Sequence, residues 1–297
     1  MIIDVLRRSQ AEPPSLDEAT GAVTWYGRRG KPIAYTLKQG DCCWFRLVGL
    51  ASYRFPLSAP DGVLRCEAVP EPGAEWDEVV DHYYRSLSVL ALEAYGYESV
   101  HGSALLTPAG ALVLTAPSGA GKTTLALSLA SRGHELIADD AVVLDPAPAE
   151  HPARPALRPL PFVPRARDET AARFGLPVRA RLPEPAGPVG LGAPVPLAAF
   201  VLLRRAGAEE VGARTGLERL SPGQAFTALL GRAYFHAPHE AARDRQAVAS
   251  YLKLTARVPV YRLTYRDGFD RLEEAVAALE RLVADLAPAG QGAAGRV

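Results

Sequence analysis

Ala116-Pro117-Ser118-Gly119-Ala120-Gly121-Lys122-Thr123 follows directly on the apolar run Leu112-Val113-Leu114. The spacing is that of a phosphate-binding loop between a strand and a helix, with Ala in place of the first glycine, where it adds only a methyl group. Gly119 and Gly121 allow backbone conformations that turn successive N–H groups toward a phosphate. A helix opening at Lys122 adds the positive end of its dipole. Lys122 is of the length and charge to reach the β- and γ-phosphates, and the Thr123 hydroxyl is a magnesium ligand by type. The pattern therefore predicts ATP and Mg²⁺ as cofactors, with Pro117, Ser118, Gly119, Ala120, Gly121, Lys122, Thr123 and Thr124 at the nucleotide.

Asp139 and Asp140 come next, at the end of Leu136-Ile137-Ala138. Adjacent residues of an extended chain point to opposite sides. One carboxylate can then help hold the metal, and the other can receive the proton of an attacking hydroxyl. Taken without the loop, the pair would read as a capped turn. His101-Gly102 lies ahead of the same segment and means little by itself.

These groups need a sheet to hold them. Residues 103–106 and 111–115 predict a hairpin around Pro108-Ala109-Gly110, then a helix over 122–132 stopped by Gly133. Short strands are expected at 134–138 and 141–144, and a buried one at 197–203 that ends in Arg204-Arg205. Helices at 222–230, 241–256 and 270–286 and a strand at 260–265 complete this part. Upstream, residues 1–75 form a β-rich region of short aromatic and β-branched runs, a reading that includes substrate recognition. A helix over 76–95 ends at Gly96. The expected organisation is thus 1–75 β-rich, 76–286 a P-loop catalytic domain, and 287–297 a flexible tail. Residues 145–196 are dense in proline and carry Arg154, Arg158, Arg165, Arg167, Arg173, Arg179 and Arg181. Such a stretch is either a lid or substrate-binding insertion or an ill-ordered loop.

Composition removes several classes. The 297 residues carry 33 Lys plus Arg against 33 Asp plus Glu, so no basic excess argues for nucleic acid. Cys42, Cys43 and Cys66 are too few and too clustered for a disulfide framework or zinc site. No signal peptide is expected over 1–10, and the apolar run at 197–203 falls short of the ~20 residues of a membrane helix. The expected location is cytoplasmic, with no membrane partner.

Three segments together resemble the catalytic domain of the HPr kinase/phosphorylase family: His101-Gly102-Ser103-Ala104, the loop to Thr124, and Arg132-Gly133-His134-Glu135-Leu136-Ile137-Ala138-Asp139-Asp140-Ala141-Val142. The resemblance covers about 45 residues. It implies an α/β P-loop kinase domain of the HPr kinase/phosphoenolpyruvate carboxykinase type, with Mg²⁺-dependent phosphoryl transfer to a protein serine. It places Lys122 on the phosphates and Thr123 on the metal, makes Asp139 the general base and Asp140 a metal partner, and puts His101 beside the reacting groups. It also implies a homo-oligomer. Residues 1–95 do not match that enzyme's regulatory domain, and its downstream Arg-Gly signature is not found. Arg204 and Arg205 stand as candidates for the phosphate-contacting arginine by position. HPr itself is then not the expected acceptor. Short relatives of this layout look like kinases of a serine on a precursor peptide, lasso-peptide precursors among them. The alternatives are a small-molecule hydroxyl kinase of the same fold and a non-catalytic nucleotide sensor.

Overall fold

The computed structural model describes residues 1–15, 22–27, 30–117, 119–150, 154–164, 166–178, 180–207, 210, 212, 214–233 and 241–287. Ser118, Arg165, Arg179 and the expected tail beyond 287 lie outside the described residues.

Short runs of aromatic and β-branched residues, separated by glycine and proline, give eight strands among the described residues of the N-terminal part: β1 (Ile2–Ile3), β2 (Arg7–Arg8), β3 (Val23–Tyr26), β4 (Pro32–Gln39), β5 (Cys42–Leu47), β6 (Ala51–Pro56), β7 (Val63–Leu64) and β8 (Glu67–Pro70). Six of them form one sheet in the order β2-β8-β6-β5-β4-β3. The chain then enters α1 (Trp76–His82), a π-helical turn over Tyr83–Leu87, and α2 (Ser88–Glu93). Val79, Val80, Tyr83, Leu87 and Leu92 share one core with Phe45, Tyr53, Phe55 and Leu64. Burial pushes the Cys43 thiol up to about 12, so it packs as a small apolar side chain.

The second sheet is built from β9 (Glu98–Thr107), β10 (Gly110–Thr115), β11 (Glu135–Ala138), β12 (Ala141–Asp145), β13 (Ala156–Arg158), β15 (Val195–Arg205), β16 (Gly216–Arg219) and β17 (Val260–Tyr265); β14 (Val189–Gly190) pairs with β1 instead. β10 lies between β9, antiparallel, and β15, parallel; β15 runs parallel to β17. β11 is antiparallel to β9, as β10 is, so β10, β11, β15 and β17 all end on one side. In α/β sheets that is the side where ligands bind.

Helices cover both faces. α3 (Lys122–Ala130) and α7 (Leu272–Leu286) bury Leu125, Leu129, Val276 and Leu279 on Leu112 and Leu114. α5 (Pro222–Leu230) and α6 (Ala241–Arg257) bury Leu229, Tyr251 and Leu254 on Val113, Val142 and Phe200. The start of α5 is fixed by a capping box between Ser221 and Gln224, with proline at its first position. The architecture is mixed α/β with more than one sheet. Among the described residues no helix is long and apolar enough to cross a membrane.

The proline-dense stretch folds as a strap. β13 joins β12 to the start of β15, α4 (Asp168–Phe174) packs Ala171 against Leu127 of α3, and β14 reaches β1. Several of its arginines are already paired within the chain. Arg158 meets Asp145 and Glu150, Arg181 meets Glu78, and Arg173 stacks 5.0 Å over Phe269.

Candidate active site

The loop leaves β10 at Thr115, whose hydroxyl donates to the His101 carbonyl at 2.7 Å. Gly119 and Gly121 take φ of 85° and 86°, the left-handed region glycine enters without strain. Arg205 Nη2 donates to the Gly119 carbonyl at 3.1 Å, and the Tyr265 hydroxyl donates to the Ala120 carbonyl. A trans peptide carries its C=O and its following N–H on opposite sides. With Ala120 C=O drawn to Tyr265, the Gly121 N–H points the other way. A Cβ on Gly119 would stand 3.2 Å from Arg167 Nη2, so this arginine of the strap flanks the loop. Thr124 faces the strap too, its hydroxyl 2.9 Å from that of Thr170.

Lys122 is 7% exposed. Its Nζ donates to His101 Nε2 at 2.9 Å and to the Ala116 carbonyl at 3.1 Å. His101 Nδ1 lies 2.8 Å from the Asp140 carbonyl. A carbonyl only accepts, so the proton sits on Nδ1 and Nε2 is left to accept from the lysine. Burial holds the Lys122 amine below its usual range, against the opposing pull of Asp140 and Asp139. Burial and then the Lys122 charge hold His101 below 6.5. Arg232, just after α5, adds positive charge that lowers both, and its carbonyl accepts from His101 N at 3.0 Å.

β11 and β12 are two halves of one strand line along β9. Ala138 pairs with Ala104 and Ala141 with His101, so the acids stand opposite Ser103 and Gly102. The ladder opens at the acids, where Asp140 takes φ 68° and its carbonyl accepts from Gly102 N at 3.3 Å. Asp139 is 3% exposed. It accepts from Ser103 Oγ at 2.6 Å and from Thr123 Oγ1 at 3.2 Å. Asp140 turns elsewhere, its Oδ2 3.5 Å from Arg85 Nη1. Gly102 has a steric reason: a Cβ there would sit 2.8 Å from the Leu114 carbonyl of β10.

The two arginines at the end of β15 face opposite ways, as alternation requires. Arg205 touches the loop and Asp267 at 3.0 Å. Arg204 forks onto Glu210 with both bonds at 2.9 Å and donates to Thr264. The structure also brings in residues that the motifs do not contain: Arg85, Arg232 and Tyr265. A signal for Arg85 did exist: it stands four residues after Asp81, the spacing that brings opposite charges together on a helix.

The residues present fit magnesium and a nucleotide. Thr123 and Asp139 offer a hydroxyl and a carboxylate 3.2 Å apart, and Mg²⁺ takes hard oxygens, usually one or two carboxylates alongside phosphates and water. Left-handed glycines before a helix that opens on a lysine suit the polyphosphate.

No protein-family profile matches the chain, and no curated protein sequence does. Among solved structures it is similar to the Hpr(Ser) kinase/phosphatase from Coxiella burnetii, with 12% identity and a TM-score of 0.31 over 63% of this chain and 97% of that one. A likeness at that score does not specify a function.

Proposed function

We propose that this chain is an ATP-dependent, Mg²⁺-requiring kinase that phosphorylates a serine hydroxyl of a peptide or protein. The observation that carries the reading is the 3.2 Å contact between Thr123 Oγ1 and Asp139 Oδ1, which joins the phosphate loop to a buried carboxylate. Bound magnesium would neutralise charge on the polyphosphate, and Thr123 and Asp139 are the residues that would hold it. Lys122 turns from His101 to the phosphate oxygens. Gly119 to Thr124 direct backbone amides and the helix dipole at them, while Arg205, Arg167 and Arg232 supply positive charge around the loop. The acceptor oxygen bonds to the γ-phosphorus, the bridging oxygen leaves with ADP, and the hydroxyl proton passes to Asp139. Catalysis is then placement plus charge stabilisation. Metal contact and proton acceptance both fall to Asp139 in this scheme, and Asp140 acts through its backbone on His101.

The cavity beside Asp139 holds only about 20 Å³, walled by Tyr84, Arg85, Val89, Phe162, Val163 and Leu182. That volume admits a water or a hydroxyl, so the acceptor's bulk stays outside. A serine presented on a chain meets this condition, and a ribosomal precursor peptide such as a lasso-peptide precursor is the acceptor class we favour.

The test is to incubate the purified protein with Mg²⁺-ATP and candidate precursor peptides, and to look by mass spectrometry for the gain of one HPO₃ on a serine. Asp139→Asn should nearly abolish transfer and also weaken Mg²⁺-dependent ATP binding, since this carboxylate serves both the metal and the proton in the scheme. Wild-type turnover in that variant would refute the role of Asp139. Binding without transfer to any peptide would leave a nucleotide sensor.

A further inference from the structure

Arg85 sits in the middle of the π-helical turn, and its side chain is 6% exposed. Single-turn π segments recur at functional sites. The guanidinium forks onto Asp81, with Nη2 to Oδ1 at 2.9 Å and Nε to Oδ2 at 3.4 Å. It also donates to two carbonyls of the strap, Val163 at 3.0 Å and Ala180 at 3.2 Å. Its remaining reach goes to Asp140 Oδ2 at 3.5 Å. From there a continuous path runs to the loop: the Asp140 carbonyl accepts from His101 Nδ1, and His101 Nε2 accepts from Lys122. Asp140 needs such support, because its φ of 68° is one that non-glycine residues seldom hold.

We infer that Arg85 is a positioning residue of the active site: through Asp140 it fixes the His101 tautomer and hence the resting place of Lys122, and through Val163 and Ala180 it ties that arrangement to the strap. The part concerning Lys122 rests on the phosphotransfer reading above. A plain structural staple would use Arg85 for Asp81 and the strap alone. Asp81 makes the distinction testable, since it holds Arg85 and also accepts from Leu182 N at 2.7 Å, away from the loop.

Three variants decide the matter: Arg85→Lys, Asp81→Asn and Asp140→Asn, with the Arg85→Lys/Asp140→Asn double. The readouts are mant-ATP binding, phosphate release from Mg²⁺-ATP with water as acceptor, and the ¹⁵N-edited imidazole spectrum of His101. Arg85→Lys should lower turnover about 10²-fold, the effect of a small misplacement near the chemistry. Its mant-ATP affinity should stay unchanged, and the Nδ1–H form of His101 should lose its dominance. Asp81→Asn should keep both turnover and tautomer even if its melting temperature falls. The double variant should be no slower than the slower single. Equal loss of turnover in Asp81→Asn would make Arg85 a staple, and multiplying effects in the double would break the link to Asp140. A wild-type protein that neither binds mant-ATP nor releases phosphate would sink the phosphotransfer reading alone. The imidazole spectrum would still decide whether Arg85 acts on His101, and an unmoved tautomer in Arg85→Lys would overturn that.

Discussion

Lys122 Nζ and His101 Nε2 are 2.9 Å apart, and the lysine is the donor. The lysine that ends the glycine-rich loop is therefore held by an imidazole on the neighbouring strand of the hairpin, itself oriented by the Asp140 carbonyl 2.8 Å away. The partners that assign the tautomer also store the amine at the mouth of the loop, next to the Ala116 carbonyl.

Replacing that amine separates binding from stability. Lys122→Met should weaken Mg²⁺-ATP binding about 10–100-fold, the loss of a charge-assisted hydrogen bond of about 1.5–3 kcal/mol. Burial already disfavours the charged lysine in the fold, so the urea midpoint should hold or rise. Isothermal titration and urea unfolding on one preparation check both halves.

His101 makes stability depend on pH in a stated direction. Its folded value lies below 6.5, so an unfolded chain takes up the proton first. The stabilisation from the neutral ring is present above about pH 6.5 and is lost as pH falls through the lower folded value. Urea midpoints followed from about pH 8 to about pH 5 should drop more steeply in the wild type than in His101→Gln. Equal slopes would refute the assignment.

Arg204 and Arg205 should behave differently despite being neighbours. Arg205→Ala releases the Gly119 carbonyl and should lower ATP affinity about 2–5-fold, consistent with about 0.5–1 kcal/mol for a partly exposed charged contact. Arg204→Ala loses its fork onto Glu210 and its bond to Thr264, both away from the loop, and should bind ATP as the wild type does. A fluorescence titration with mant-ATP distinguishes them.

Gly102 is a packing constraint. Gly102→Ala forces a methyl against the Leu114 carbonyl and should cost about 1–3 kcal/mol, as overpacking does. Gly187 has open space and no left-handed φ, so Gly187→Ala should be neutral or stabilise by up to about 1 kcal/mol. Urea denaturation of the two variants gives the comparison.

The loop, its helix and the position of the acid pair were legible because their signals are local: glycines, a lysine and a threonine between an apolar strand and an apolar helix face. That β11 and β12 form one line was not legible. Asp139-Asp140 breaks an apolar run as a strand terminus does, and only pairing with β9 reveals the continuation. The strap shows no period, yet β13, α4 and β14 form because β12, β15, α3 and β1 supply partners. Arg85 was hidden for a related reason: the carbonyls it binds are 78 and 95 residues away. Strand alternation alone separates Arg204 from Arg205, but which of them faces the loop depends on β17 and its Tyr265.

The two half-strands on β9 act as a reading frame for the chemistry. Side chains alternate between faces, so sliding the strand by one position carries every group to the opposite face. Leu136 pairs with Leu105 and Ala138 with Ala104, so Ile137 is an extra residue, and losing one residue here removes the bulge and keeps Asp139 opposite Ser103. Losing both Ile137 and Ala138 would instead bring Asp140 there and take Asp139 out of reach of Thr123. Which acid serves the loop is thus settled by counting along a sheet, and a two-residue loss in this stretch would exchange the two without altering either side chain.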